Sequence, residues 1–317
     1  MKKLTLLLAL LLLRTFVYAQ DDDGGSVIQS LTPSRLIGKG QVDIKWFNNL
    51  FTQTRQLDAD EEVQTIDRQT LFASNLEVFF GVGNSKRVAL GGILEFRSNT
   101  FGGRGAFDVF SFDGESGTAR SGLTNIAPSI KFVPIGSVAN FSVQTSFFFS
   151  TIGDENDAQG VFLDQDSFTI QNRFFYDLAL GSKDWQLFFD LNTEINLGEA
   201  PGGVSEDGGS VGSFANNSVR IIPAVFLSYF PSSKFTVNVN VQHFQLISLT
   251  DFETVTQAGQ IELRSGFEQN LTSIGTGVKY QLTDKLNIEG LVSYFVRGGG
   301  AFSGLGEAYN IGLRYVL

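Results

Sequence analysis

The chain predicts an all-β fold, a transmembrane antiparallel up-and-down β-barrel of about 12 strands. Three observations lead there. Apolar and polar residues alternate in segment after segment, as side chains on the two faces of a strand do. Short and long connections between these segments alternate strictly, which suits an up-and-down sheet with tight turns at one end and elaborated loops at the other. The apolar face is aromatic beside the short turns, while the opposite face carries charge in mid-strand. Composition agrees, since 317 residues include 31 Phe, 35 Gly and 1 Met, a mixture rich in strand and turn formers.

The first element is a leader. In "MKKLTLLLALLLLRTFVYAQ", basic Lys2 and Lys3 precede an apolar core, and Val17 and Ala19 occupy small-residue cleavage positions. Residues 1–19 therefore read as a cleaved signal peptide. The apolar run is interrupted by Arg14 and falls short of the ~20 residues of a membrane helix, and no later run approaches that length. There is no cysteine, so neither disulfides nor lipid attachment through an N-terminal cysteine is available. The net charge of −10 becomes more negative once Lys2, Lys3 and Arg14 leave. Such an acidic chain is ill suited to nucleic acid, and no nucleic acid partner is expected.

Residues 20–39 read as a periplasmic N-terminal tail, with folding into the lumen as a small plug as the alternative. The barrel is expected over residues 40–317. Its first strand is "QVDIKWF", with Val42, Ile44 and Trp46 on one face and Asp43 and Lys45 on the other. "FASNLEVFFGV" and "RVALGGILEFR" follow, joined by the tight turn "GNSK". The unit recurs in "IAPSIKF" with "FSVQTSFFF", and in "FTIQNRFFYDLAL" with "WQLFFDLNTEINL" across "GSKD". It recurs again in "VRIIPAVFLSY" with "FTVNVNVQHF" across "PSSK", and in "TSIGTGVKYQL" with "LNIEGLVSYFV" across "TDK". The closing strand, "YNIGLRYVL", sets Tyr309, Ile311, Leu313, Tyr315 and Leu317 against Asn310, Gly312 and Arg314. Long polar connections fall at roughly 56–67, 98–123, 152–166, 198–216, 247–264 and 298–307.

A soluble sandwich would also alternate, but it would bury one face in a shared core. Here the apolar face carries Phe80, Phe132, Phe141, Tyr176, Trp185, Tyr229, Phe235 and Tyr280 beside the short turns, where a barrel carries its aromatic girdle. The other face carries Lys45, Arg87, Glu95, Arg97, Lys131, Arg173, Asp190, Glu194, Arg220, Glu289, Arg297 and Arg314. So many charges are costly in a dry core but suit a wet lumen. Closure also gives the last strand a partner in the first. Pro128 and Pro223 lie inside strands, where each removes a ladder hydrogen bond. A bulge at each is expected; the alternative is a weakened seam through which an apolar solute leaves sideways.

The leader, the alternating strands, the long polar loops and the ending "GLRYVL" resemble Gram-negative outer-membrane β-barrel proteins over nearly the whole mature chain. The ending is similar to their C-terminal assembly signal, with Tyr315 and Leu317 at the apolar positions; Leu317 stands where Phe or Trp is commoner. "GKGQVDIKWFNNLFTQT" resembles the first strand of Bacteroidota-type transporter-like barrels, the group named for a phenol-degradation pathway. The resemblance implies transport rather than catalysis, a place in the cell outer membrane, and engagement of the barrel assembly machinery through the closing strand.

No enzyme is expected. His243, the one histidine, shares the apolar face with Val237, Val239 and Val241, and Gln245 stands where a nearby serine nucleophile would be wanted. "GDENDAQGVFLDQD" supplies Asp154, Asp157, Asp164 and Asp166 as a candidate Ca²⁺ set, although Gln159 replaces the glycine of an EF-hand loop. A solvated acidic loop that bridges to lipopolysaccharide phosphates is the competing reading. No cofactor is expected. The inner face holds mixed charges, so strong ion selectivity is not predicted; the charges either pair and plug the lumen or line a narrow path. Phe79, Phe175, Phe188 and Phe226 on that face read as an apolar constriction or as filling. The expected function is an outer-membrane channel for passive uptake of a small solute, hydrophobic or aromatic. The alternative is a non-conducting structural or surface-interaction barrel. The expected partners are outer-membrane lipid, lipopolysaccharide and the solute itself.

Overall fold

A strand whose one face is apolar can lie in hydrocarbon only if every backbone N–H and C=O is paired, which an open sheet edge prevents. The computed structural model of the chain closes the sheet. It describes residues 33–57, 62–157, 159–181, 184–198, 217–249, 252–255, 261–264, 268–299 and 304–317; the leader and residues 20–32 lie outside these. The barrel strands are β1 (Val42–Leu57), β2 (Val63–Val82), β3 (Val88–Thr100), β4 (Ala119–Phe132), β5 (Phe141–Ser150) and β6 (Phe168–Ala179). They continue with β7 (Trp185–Leu197), β8 (Ser218–Ser232) and β9 (Phe235–Ser248), then β12 (Glu268–Gln281), β13 (Leu286–Gly299) and β14 (Gly304–Val316). Between β9 and β12, β10 (Phe252–Val255) and β11 (Ile261–Arg264) form a separate hairpin.

Each barrel strand pairs antiparallel with its neighbours, and β14 closes on β1. The seam is long, running from Asp43↔Val316 to Gln56↔Gly304 with one shift after Gln53. Val42 and Leu317 exchange both backbone hydrogen bonds at its lower end, at 3.1 and 2.8 Å. The described strands thus form a closed twelve-stranded antiparallel β-barrel.

The outward face is apolar and exposed along its length, as Leu76, Leu90, Leu94, Val239, Val241, Ile274 and Val278 illustrate. A patch of that extent needs hydrocarbon around it. At the short-turn end, register sets aromatic residues side by side: Phe141↔Tyr176, Trp185↔Tyr229 and Phe235↔Tyr280. Trp185 and Tyr229 lie 4.8 Å apart between ring centroids. Such rings suit the boundary between lipid and water.

The two prolines do not make bulges. Pro128 pairs with Gly92 of β3, but the β4–β5 ladder skips Ala127 and Pro128 and resumes in the same register, Ile126↔Phe149 to Ser129↔Ser146. The β8–β9 ladder likewise skips Ile222 and Pro223 between Ile221↔Gln245 and Ala224↔Gln242. A missing N–H interrupts pairing on one side only, and the long flanking ladders hold the register. The bulge in β4 falls instead opposite the Glu95–Phe96 step.

Candidate functional site: the lumen

Alternation turns every second side chain inward, and the inward side chains form three levels. At the short-turn mouth, residues 33–38 of the segment read as a tail are folded against the wall. Ser34 is fully buried and its hydroxyl donates to Asp177 Oδ1. Lys131 Nζ donates to the Pro33 carbonyl. Ile37 packs against Phe79 and Ala89, with Leu36 and Val316 alongside. Gly81 makes this approach possible, because a Cβ there would lie 1.9 Å from the Gly38 carbonyl oxygen.

The second level is a lattice of charges. Arg314 holds Asp43 in a bidentate pair, with both contacts at 2.8 Å. Lys45 lies 3.3 Å from Glu77 and 3.9 Å from Asp43. Arg173 pairs with Asp190 and approaches Glu77 at 4.0 Å, and Lys279 lies 3.7 Å from Glu289. Bidentate arginine–carboxylate contacts fix both distance and orientation. Among these charges run the phenylalanines. Phe175 stacks with Phe188 at 6.1 Å, and Phe188 meets Phe226 at 5.8 Å. Lys131 Nζ lies 4.6 Å and the Arg173 guanidinium 4.9 Å from the Phe175 ring centre, so cations face its π-surface. Phe79 is not joined to that row; it sits under Ile37, with Lys45 at 5.9 Å.

The third level lies towards the long loops. Arg97 bridges Glu95 at 2.5 Å and Asp164 at 3.1 Å, and Arg220 pairs with Glu194 at 3.1 Å. Glu194 also accepts from Gln171 and Asn192, at 3.0 and 2.9 Å. Asp164 arrives from the β5–β6 connection, which folds inward. Asn99 donates to the carbonyls of Phe162 and Leu163, both at 2.9 Å. Arg120 donates to those of Asp154 and Glu155, at 2.8 and 2.9 Å. Val161 and Leu163 are buried beneath.

Two expected positions need correction. Arg87 precedes β3 and is exposed, donating to the Val133 carbonyl at 3.3 Å, so it belongs to the turn end and not to mid-strand. Arg297 is exposed towards the outer end of β13. The four aspartates proposed for Ca²⁺ diverge. Asp157 accepts from the Gln159 and Val161 N–H groups and closes its own turn, Asp164 is taken by Arg97 and Asn125, and Asp154 and Asp166 are exposed. Among the described residues no three His, Cys, Asp or Glu side chains converge to hold a metal. His243 bonds Thr272 across the β9–β12 pair at 3.0 Å, on the outward face. The site residues missing from the sequence-based set are Asp43, Glu77, Asp177 and Lys279. Each lies on the polar face of its strand, so alternation carried the signal.

No family model matches the chain, and no curated protein does. Among solved structures it is similar to an outer membrane channel from Pseudomonas putida F1, with a TM-score of 0.62 at 10% identity over 95% of this chain and 100% of that one. It is also similar to the β domain of the Bordetella autotransporter BrkA, with a TM-score of 0.52 at 14% identity over 87% of this chain and 100% of that one. At such identities the likeness is one of fold.

Proposed function

We propose that the protein is an outer-membrane channel for passive uptake of a small hydrophobic or aromatic solute. The observation that carries this is the continuous row Phe175–Phe188–Phe226 on the inner wall, flanked by ion pairs of Lys45 with Glu77 and Arg173 with Asp190 and by Lys131, which is bonded to the Pro33 carbonyl. Paired charges give a passing ion little net field, whereas the half-buried rings of Phe188 and Phe226, backed by the buried Phe175, offer a flat apolar solute a contact surface. Twelve strands lie between the ~8 that side chains fill and the ~16 that leave an open pore, so selection by contact is in keeping with the size. A lateral exit through the wall would suit such a solute. The outward face of β2–β4, on the β3 side of the skipped Ala127–Pro128 pairs, holds a depression of about 360 Å³ lined by Leu76, Phe80, Gly91, Gly92, Leu94 and Ile126.

Phe188→Ala together with Phe226→Ala tests the row. Swelling of protein-loaded liposomes in an aromatic solute should change several-fold relative to a sugar of similar size. An unaltered ratio would remove the row from the mechanism.

One observation favours a second reading, a non-conducting structural barrel. Both ends of the lumen receive inward-folded chain, residues 33–38 at one and the β5–β6 connection at the other. Planar bilayers separate the two readings: absence of single-channel steps, with no swelling in any solute, would favour the closed barrel.

A further inference from the structure

The β3–β4 connection folds outward, whereas the β5–β6 connection folds into the lumen. After Thr100 the chain turns down over the outer wall of β1, β2 and β3. Val109, in a short 3-10 turn over Asp108–Ser111, is fully buried against Leu50, Phe72 and Phe96. Those three share the outward strand faces of Trp46, Leu76 and Leu94, all exposed. The Ser98 hydroxyl donates to the Val109 carbonyl at 2.6 Å and Gly103 N–H donates to the Arg68 carbonyl at 3.3 Å, pinning the flap to the wall.

The flap covers apolar wall and replaces it with more apolar surface. Phe107 is 73% exposed, Phe112 49% and Phe110 45%. Phe110 touches Phe72, Phe107 and Phe112, so the rings form one clump. Phe112 holds φ at 51°, in the left-handed region that bulky residues avoid. Arg104, bonded to Asp113 at 2.5 Å and 3.7 Å from Asp108, gathers the polar groups of the flap into one paired cluster.

Depth identifies what covers the clump. Phe72 lies eight residues along β2 from Phe80, about 20 Å higher at ~3.3 Å per residue and a ~40° tilt. An apolar band is ~25 Å tall, so the flap meets the band's outer edge, continuous with the lipid-facing wall. We infer that the Phe107–Phe112 flap is a membrane-seated finger whose rings enter the acyl chains of the outer leaflet. This surface is separate from the lumen and stands whether or not the barrel conducts.

The chain has no cysteine, so a single introduced thiol can carry a nitroxide label. Phe107→Cys, Leu94→Cys as the lipid-wall reference and Asp284→Cys as the turn reference would be labelled in the full mature barrel. Each would be reconstituted in phosphatidylcholine–phosphatidylglycerol vesicles. Collision rates with oxygen, which concentrates in lipid, and with a water-soluble nickel chelate would then be compared. The expected result is an oxygen-to-nickel ratio at 107 several-fold above that at 284 and approaching that at 94. A ratio at 107 equal to that at 284 would overturn the inference. So would spin–spin broadening between labels at 107, which would assign the clump to a second copy.

Discussion

Asp43 and Arg314 stand 271 positions apart in sequence yet form a bidentate pair across the seam between first and last strands. Both side chains are almost fully buried, at 8% and 5% exposure. Deleting one partner of such a pair leaves a charge without compensation in a confined site, at a cost of about 3–5 kcal/mol. Asp43→Asn or Arg314→Met should therefore lower the urea midpoint of the refolded barrel markedly, while the double variant should lose less than the sum of the two. Additive losses would mean that the pair contributes no coupling to closure. The composition of this pair was open to a reader of the sequence, since "QVDIKWF" and "GLRYVL" place Asp43 and Arg314 on polar faces. Their meeting was not, because it depends on closure and on a diagonal contact: Arg314 faces Lys45 in the register but reaches to Asp43.

At the scale of elements, strands and connections differ in what their sequences reveal. A strand's period of two states its faces directly, and hence its inward and outward residues. A connection has no such period, and its path depends on side chains contributed by distant strands. "GDENDAQGVFLDQD" reads as a solvated acidic loop, yet it folds inward because Asn99 and Arg120, from β3 and β4, take its carbonyls. "FDVFSFDG" gives no sign of facing outward, yet Ser98, Leu50 and Phe72 draw it down the outer wall. The skipped pairs at Pro128 and Pro223 follow the same logic, since the neighbouring ladder decides whether a lost hydrogen bond becomes a bulge or a gap. The inward connection can be tested alone. Asn99→Ala removes both of its hydrogen bonds to that segment, to the carbonyls of Phe162 and Leu163. Residues 152–165 should then become more accessible to protease from the loop side, and conductance, where present, should rise. Identical digestion and conductance would show that Val161 and Leu163 hold the segment without Asn99.

For the whole molecule the decisive property is how the lumen balances its charge. Its guanidiniums are taken by carboxylates level by level: Arg314 by Asp43, Arg173 by Asp190, Arg97 by Glu95 and Asp164, and Arg220 by Glu194. An ion entering such a lumen meets dipoles rather than a net charge, so the path should discriminate weakly between K⁺ and Cl⁻. Under a tenfold KCl gradient a perfectly selective pore would reverse near ~59 mV; the wild-type barrel should reverse at a small fraction of that value. The third level offers a way to unbalance the field. Arg97→Gln with Arg220→Gln strips two positive charges and leaves Glu95, Asp164 and Glu194 without their guanidiniums, so the formal charge of that level goes from 2 − 3 = −1 to −3. Cations should then be favoured, and the reversal potential should move by tens of millivolts towards the K⁺ limit. Wild-type reversal near either limit would contradict charge balance as the governing property. An unmoved potential in the double variant would place the ion path away from these residues.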